Sequence, residues 1–118
     1  MKNIVLTKND YRILESYKLF IDGLSAYLGD AYEIVLHSLG NLEKSVIYIV
    51  NGEHTGRKIG APITDLALRM YDSIQEEEND FIVYNSKNKK GEPLKSATIA
   101  IRGENHKIIG LVCINMYL

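Results

Sequence analysis

The sequence has one cysteine, two prolines, no tryptophan and no marked excess of either charge. A lone thiol, Cys113, cannot close an intramolecular disulfide, and the opening MKNIVLTKND lacks the apolar stretch of a secretory signal, so a reducing, cytoplasmic setting is expected. The longest apolar run, Ile108 to Ile114 with Gly110 inside it, is far shorter than the roughly 18 residues that cross a bilayer, and no membrane span is expected. With 14 Lys+Arg against 15 Asp+Glu, the net charge of -1 supplies no uniform positive field for phosphates. The basic residues are scattered, apart from Lys87, Lys89 and Lys90, so direct nucleic-acid binding by this chain is not expected. The charged fraction of 25% is ordinary and no segment is compositionally biased, which excludes disorder as the main reading.

What is present fits one compact domain: 118 residues, 46% hydrophobic, enough to bury an apolar core without staples. Leu14, Tyr17, Ile21, Leu24 and Leu28 recur at three- and four-residue steps and predict an amphipathic helix over Thr7 to Leu28, opened by a Thr7/Asp10 pair at capping-box spacing and stopped by Gly29. Ile13, Phe20 and Tyr27 form a second apolar row beside the first, which calls either for deep burial or for contact with a second subunit. Tyr32 to Leu39 and Ser45 to Asn51 read as a hairpin of two strands. Asn51 to Pro62, with Gly52, Gly56 and Gly60 and no apolar period, reads as a long loop. Ile63, Leu66, Met70 and Ile74 predict a second helix capped by Thr64, with Asp65 favourable in its first turn. Three further strands are expected over Phe81 to Ser86, Leu94 to Arg102 and Lys107 to Tyr117. The order predicts an α+β fold, a largely antiparallel five-stranded sheet under a single covering layer, with room for a pocket between them.

The usual chemical signatures are missing: there is no paired CxxC, HExxH, GxGxxG, P-loop or GxSxG. His37, His54 and His106 fall in different segments and form no zinc spacing, so no metal or cofactor is called for and an enzyme is the less favoured class. The informative stretch is Asn51 to Asp65, where glycines let backbone amides approach a ligand and Arg57 adds a forked donor for a carboxylate or phosphate. The plainer account of the same stretch has the glycines in tight turns, Arg57 on a surface carboxylate and Thr64 as a cap only. His37 reads first as a hydrogen-bonded core histidine, Asn115 as a residue that pins a neighbouring loop, and Cys113 as a small hydrophobe. Strand alternation puts Ser96 and Thr98 opposite Lys95, and the plain expectation for such hydroxyls is solvent.

Taken together, Val35-Leu36-His37, Asn51-Gly52, His54-Thr55-Gly56-Arg57, Gly60 with Pro62, Thr64-Asp65, Leu94-Lys95-Ser96 with Thr98-Ile99, and Ile108 to Leu111 with Cys113 to Asn115 resemble the YheO-like PAS family across nearly the whole chain. Ser38 and Thr55 depart from the residues usual in that family, an acid at the first position and a serine at the second. The resemblance implies a PAS-like five-stranded antiparallel sheet with helices on one face, preceded by the N-terminal amphipathic helix. It divides the chain into residues 1–30, a dimerisation element, and residues 31–118, a sensor core. It implies a sensing role in a bacterial transcription regulator, with DNA reached only through a helix-turn-helix half that this stretch does not include. The expected ligand is a small polar molecule or carboxylate, and the expected assembly is a homodimer. The residues expected at the ligand are His37, Asn51, His54, Thr55, Arg57, Thr64, Asp65 and Asn115, with Arg57 taking the carboxylate. The competing reading is a ligand-free dimerisation or interaction module.

Overall fold

The computed structural model describes all residues, 1–118, as two helices and five strands: α1 (Lys8–Leu28), β1 (Tyr32–Ser38), β2 (Val46–Val50), α2 (Asp65–Glu76), β3 (Phe81–Lys87), β4 (Pro93–Arg102) and β5 (Ile108–Tyr117). Short 3₁₀ turns sit at Leu42–Lys44, Gly52–His54 and Glu104–His106. All neighbouring strands pair antiparallel in the order β2-β1-β5-β4-β3, so the first and last strands of the chain lie side by side at the centre. The fold class is the α+β one read from the sequence. No helix is long and apolar enough to cross a membrane.

Both helix starts follow the sequence chemistry. Thr7 Oγ1 accepts from the Asp10 amide at 3.0 Å while the Thr7 amide donates to Asp10 Oδ2 at 3.0 Å, a capping box closed by the shorter acid. Thr64 Oγ1 accepts from the Ala67 amide at 3.1 Å and caps α2.

The helices lie on opposite faces of the sheet, so the single covering layer expected from the sequence becomes two. Leu14 and Ile21 of α1 bury against Ile34 and Leu36 of β1, Ile101 of β4, and Ile109 and Val112 of β5. Ala67, Tyr71 and Ile74 of α2 bury against Val35, Leu111 and Cys113 on the other face. The alternation Ile34, Val35, Leu36 along β1 feeds the two cores in turn, which is why that strand is buried on both sides. Of the second apolar row on α1, Ile13 is half-buried, whereas Phe20 and Tyr27 are 65% and 87% exposed and stand beside an exposed Leu19.

Asp10 ties α1 to the far end of the chain. Its buried carboxylate also accepts from the Glu104 amide at 2.9 Å, and the backbone hydrogen bonds from Thr7 and then Glu104 hold its acidity below the usual carboxylate range. Asp10→Ala strips both amides of their acceptor and is expected to lower the urea midpoint clearly. Asn9→Ala, which removes only exposed contacts to Glu104 and Arg12, should leave that midpoint unchanged.

Candidate functional site

The face of the sheet under α2 is not wholly apolar. Glu33 and His37 of β1, Ser96 and Thr98 of β4 and Asn115 of β5 point into it, and all but Asn115 are buried. Ser96 and Thr98, expected in solvent, are 2% and 0% exposed because β4 is an interior strand whose even-numbered residues face α2.

These groups form a connected chain of hydrogen bonds. Ser96 Oγ donates to Asn115 Oδ1 at 2.7 Å, and Asn115 Nδ2 donates to Glu33 Oε1 at 3.0 Å. Since the one hydroxyl proton of Ser96 is committed to Asn115, Ser86, 2.8 Å away, must donate to Ser96. Thr55 of the loop after β2 donates to the second Glu33 oxygen. Every donor in the run therefore points toward one buried carboxylate, whose charge is satisfied by an amide and a hydroxyl rather than by a cation. Nearby, Tyr84 and Thr98 share a 2.9 Å hydrogen bond, and burial raises the Tyr84 phenol above its ordinary value.

The loop from Asn51 to Thr64 is fastened to the α1–β1 corner. Asn51, in a left-handed conformation at φ 56, donates from Nδ2 to the Tyr32 carbonyl at 2.7 Å. His54 Nε2 donates to the Asp30 carbonyl at 2.6 Å and stacks its ring on Tyr117 with centroids 4.1 Å apart. With Thr55 on Glu33, three side chains around the Gly52–His54 turn are held by residues 30 to 33.

Between this loop, the first turn of α2 and the β3–β4 turn lies a cavity of about 650 Å³. His54, Thr55, Arg57, Thr64 and Asn115, five of the eight residues expected at a ligand, line it. The other three stand elsewhere. Asn51 is engaged in fastening the loop, Asp65 is exposed on α2, and His37 lies deeper under the sheet with Nδ1 2.8 Å from Ser45 Oγ and Nε2 without a partner. Asn115 pins the loop at one remove, through Glu33 and Thr55.

Arg57 is half-buried and has no carboxylate partner, contrary to the plain expectation of a surface pair; the ion pairs of the chain are Lys18–Glu15 and Arg102–Asp80. Its charge nevertheless reaches the groups under the sheet. Burial first and Arg57 second push His37 down to about 4, and Arg57 opposes the effect of burial at Cys113, whose thiol is pushed up to about 11. Cys113 is thus an inert thiol packed as a hydrophobe. No three His, Cys, Asp or Glu side chains converge where they could hold a metal ion. The arrangement can bind an anion at a guanidinium and orient its polar groups on a hydroxyl and amide wall.

Glu33 and Ser86 are not singled out by the sequence, and Ser96 reads there as a solvent hydroxyl only. Glu33 is the second residue of β1, just before the apolar Ile34 to Leu36, and its partner Asn115 lies 82 residues away; only the β1–β5 register, which sets the two directly opposite, brings them together.

Residues 7–118 match the YheO-like PAS domain. The chain is 52% identical over 112 residues to the uncharacterized protein YheO of Escherichia coli K12, covering 94% of this chain and 47% of that protein. It is 49% identical over 112 residues to an uncharacterized protein of Haemophilus influenzae, covering 95% of this chain and 50% of that protein. The chain thus spans about half the length of the curated relatives it matches. Among solved structures, the PAS domain of a protein from Colwellia psychrerythraea superposes with a TM-score of 0.56 at 22% identity, over 83% of this chain and 97% of that one, a likeness of fold.

Proposed function

This chain belongs to the YheO-like PAS family, and on that premise we propose that it is the ligand-sensing, non-catalytic part of a cytoplasmic bacterial transcription regulator. A small polar or carboxylate ligand enters the cavity beside the Asn51 to Thr64 loop. Arg57 takes its carboxylate, Thr55 and Asn115 meet its polar groups, and Thr64 holds the end of the loop against α2. The observation that carries this reading is the Arg57 guanidinium, which faces a cavity while no carboxylate of the chain lies within ion-pair distance. A guanidinium partly removed from water and left unpaired is a standing cost that a bidentate ligand carboxylate offsets.

Transmission runs through the loop's fastenings. Residues 30 to 33, which hold it, directly follow α1, so a loop drawn inward by ligand pulls on the corner where α1 leaves the sheet. The exposed Leu19, Phe20 and Tyr27 give α1 an apolar outer face for a second copy in a homodimer. A ligand with different affinity for two packings of that dimer shifts their populations. DNA is contacted by a helix-turn-helix half of the longer protein, not by this domain. The alternative, an interaction module with no ligand, draws on the same exposed side chains; the cavity weighs against it.

Protein purified without added ligand is expected to release a small anion that mass spectrometry detects. Arg57→Ala should lower its occupancy about tenfold, the loss of one charge-assisted pair. Equal occupancy in the two proteins would remove Arg57 from the site.

A further inference from the structure

We infer that the cavity is built for a small organic dianion, with one anionic group on Arg57 and the second on the lysines of the β3–β4 turn; the inference rests on the sensing reading above. Lys87, Lys89 and Lys90 are the one cluster of basic residues in the sequence, and the fold brings that cluster to the same cavity as Arg57. The cavity wall therefore carries four cations, Arg57 and the three lysines, against one carboxylate, Glu53, in a chain whose overall charge is -1. None of the four is in an ion pair.

The turn is shaped, so the lysines are not simply placed by a loose loop. Asn88 Oδ1 accepts from the amides of Lys90 and Glu92 at 3.0 Å each, and Asn88 Nδ2 donates to Glu92 Oε1 at 2.8 Å. Glu92, the acid nearest the lysines in sequence, is held by Asn88 and forms no ion pair with them. The three lysines are exposed at the rim, and a monoanion on Arg57 would leave their charges adding to one positive potential over the cavity. A second negative group relieves it. The wall also favours a ligand with a hydroxyl or amino donor: Ser86 spends its proton on Ser96 and presents only acceptor lone pairs to the cavity.

The test is calorimetric titration of the full chain with glutarate, with pentanoate as the monoanion of equal length, and with 3-phosphoglycerate against glycerol 3-phosphate, which lacks the carboxylate. Glutarate or 3-phosphoglycerate is expected to bind at least about tenfold more tightly than its counterpart with one anionic group, the gain shrinking at high salt. A gain for the first pair identifies a dicarboxylate and for the second a phosphorylated carboxylate; either supports the inference. The exposed triple variant Lys87→Gln/Lys89→Gln/Lys90→Gln should erase the gain and weaken pentanoate much less than the dianions. Equal binding of charged and less charged partners, a gain that survives the triple variant, or no binding of any probe overturns the inference. Arg57→Ala separates the two levels: pentanoate binding that depends on Arg57 without a dianion gain sinks only this inference, whereas anion binding indifferent to Arg57→Ala sinks the sensing site itself.

Discussion

Gly110→Ala is expected to cost about 3 kcal/mol, at the upper end of what overpacking a tight interior does. The register of β4 against β5 passes from Ile101 opposite Gly110 to Arg102 opposite Ile108, so Ile109 is the extra residue of a bulge. The bulge turns Gly110 toward α1. A methyl group there would overlap the His37 carbonyl oxygen and come within 2.5 Å of Leu14 Cδ2. Leu14 could rotate away, but the carbonyl belongs to β1 at the centre of the sheet, where movement breaks the ladder to β5. The absence of a side chain is therefore what lets α1 lie directly on the two central strands. Urea unfolding measures the effect, and the double variant Leu14→Ala/Gly110→Ala should not recover it, because the backbone overlap remains. A Gly110→Ala protein with the parent midpoint would mean that α1 does not dock where Leu14 places it.

Much of this architecture can be read from the residues, and the part that cannot has a physical reason. Helix starts are local: Thr7 with Asp10 and Thr64 with the Ala67 amide are satisfied within one turn, so the text alone carries them. Strands announce themselves by period and by β-branched residues, as Phe81 to Lys87 does with its alternating exposure. Which face of a sheet a helix covers is not local. The apolar row on α1 fits either face of β1 equally, since Ile34, Val35 and Leu36 are all apolar, and only the two-layered result assigns the even positions to α1. The site divides in the same way. Arg57 and its glycines stand out because they share one loop, whereas Glu33 depends on Thr55 and Asn115 from two other segments. Ser96 reads as a solvent hydroxyl until β4 is known to be an interior strand.

Acidification should destabilise the domain through His37, by about 3 kcal/mol between pH 6.5 and pH 4. Burial comes first and the Arg57 charge second in pushing its folded-state value down to about 4 from an ordinary 6.5. Between those two limits the unfolded chain holds a proton on His37 that the folded chain does not, so stability falls as pH drops through the window and reaches its full loss below about 4. The geometry gives the cause. Nδ1 is engaged with Ser45 Oγ at 2.8 Å, Nε2 has no partner, and the ring is fully buried, so an imidazolium would have one N–H unsatisfied beside a guanidinium. His37→Gln removes the titration, and its urea midpoint should vary less over this window than the parent's. Every other ionisable group is common to the two proteins, so the difference between the two pH profiles isolates His37. Parallel profiles would show that His37 takes up its proton in the folded chain as readily as in the unfolded one. Ligand bound at Arg57 should enlarge the resistance to acid, because an anion there cancels the positive charge that His37 would otherwise meet on protonation.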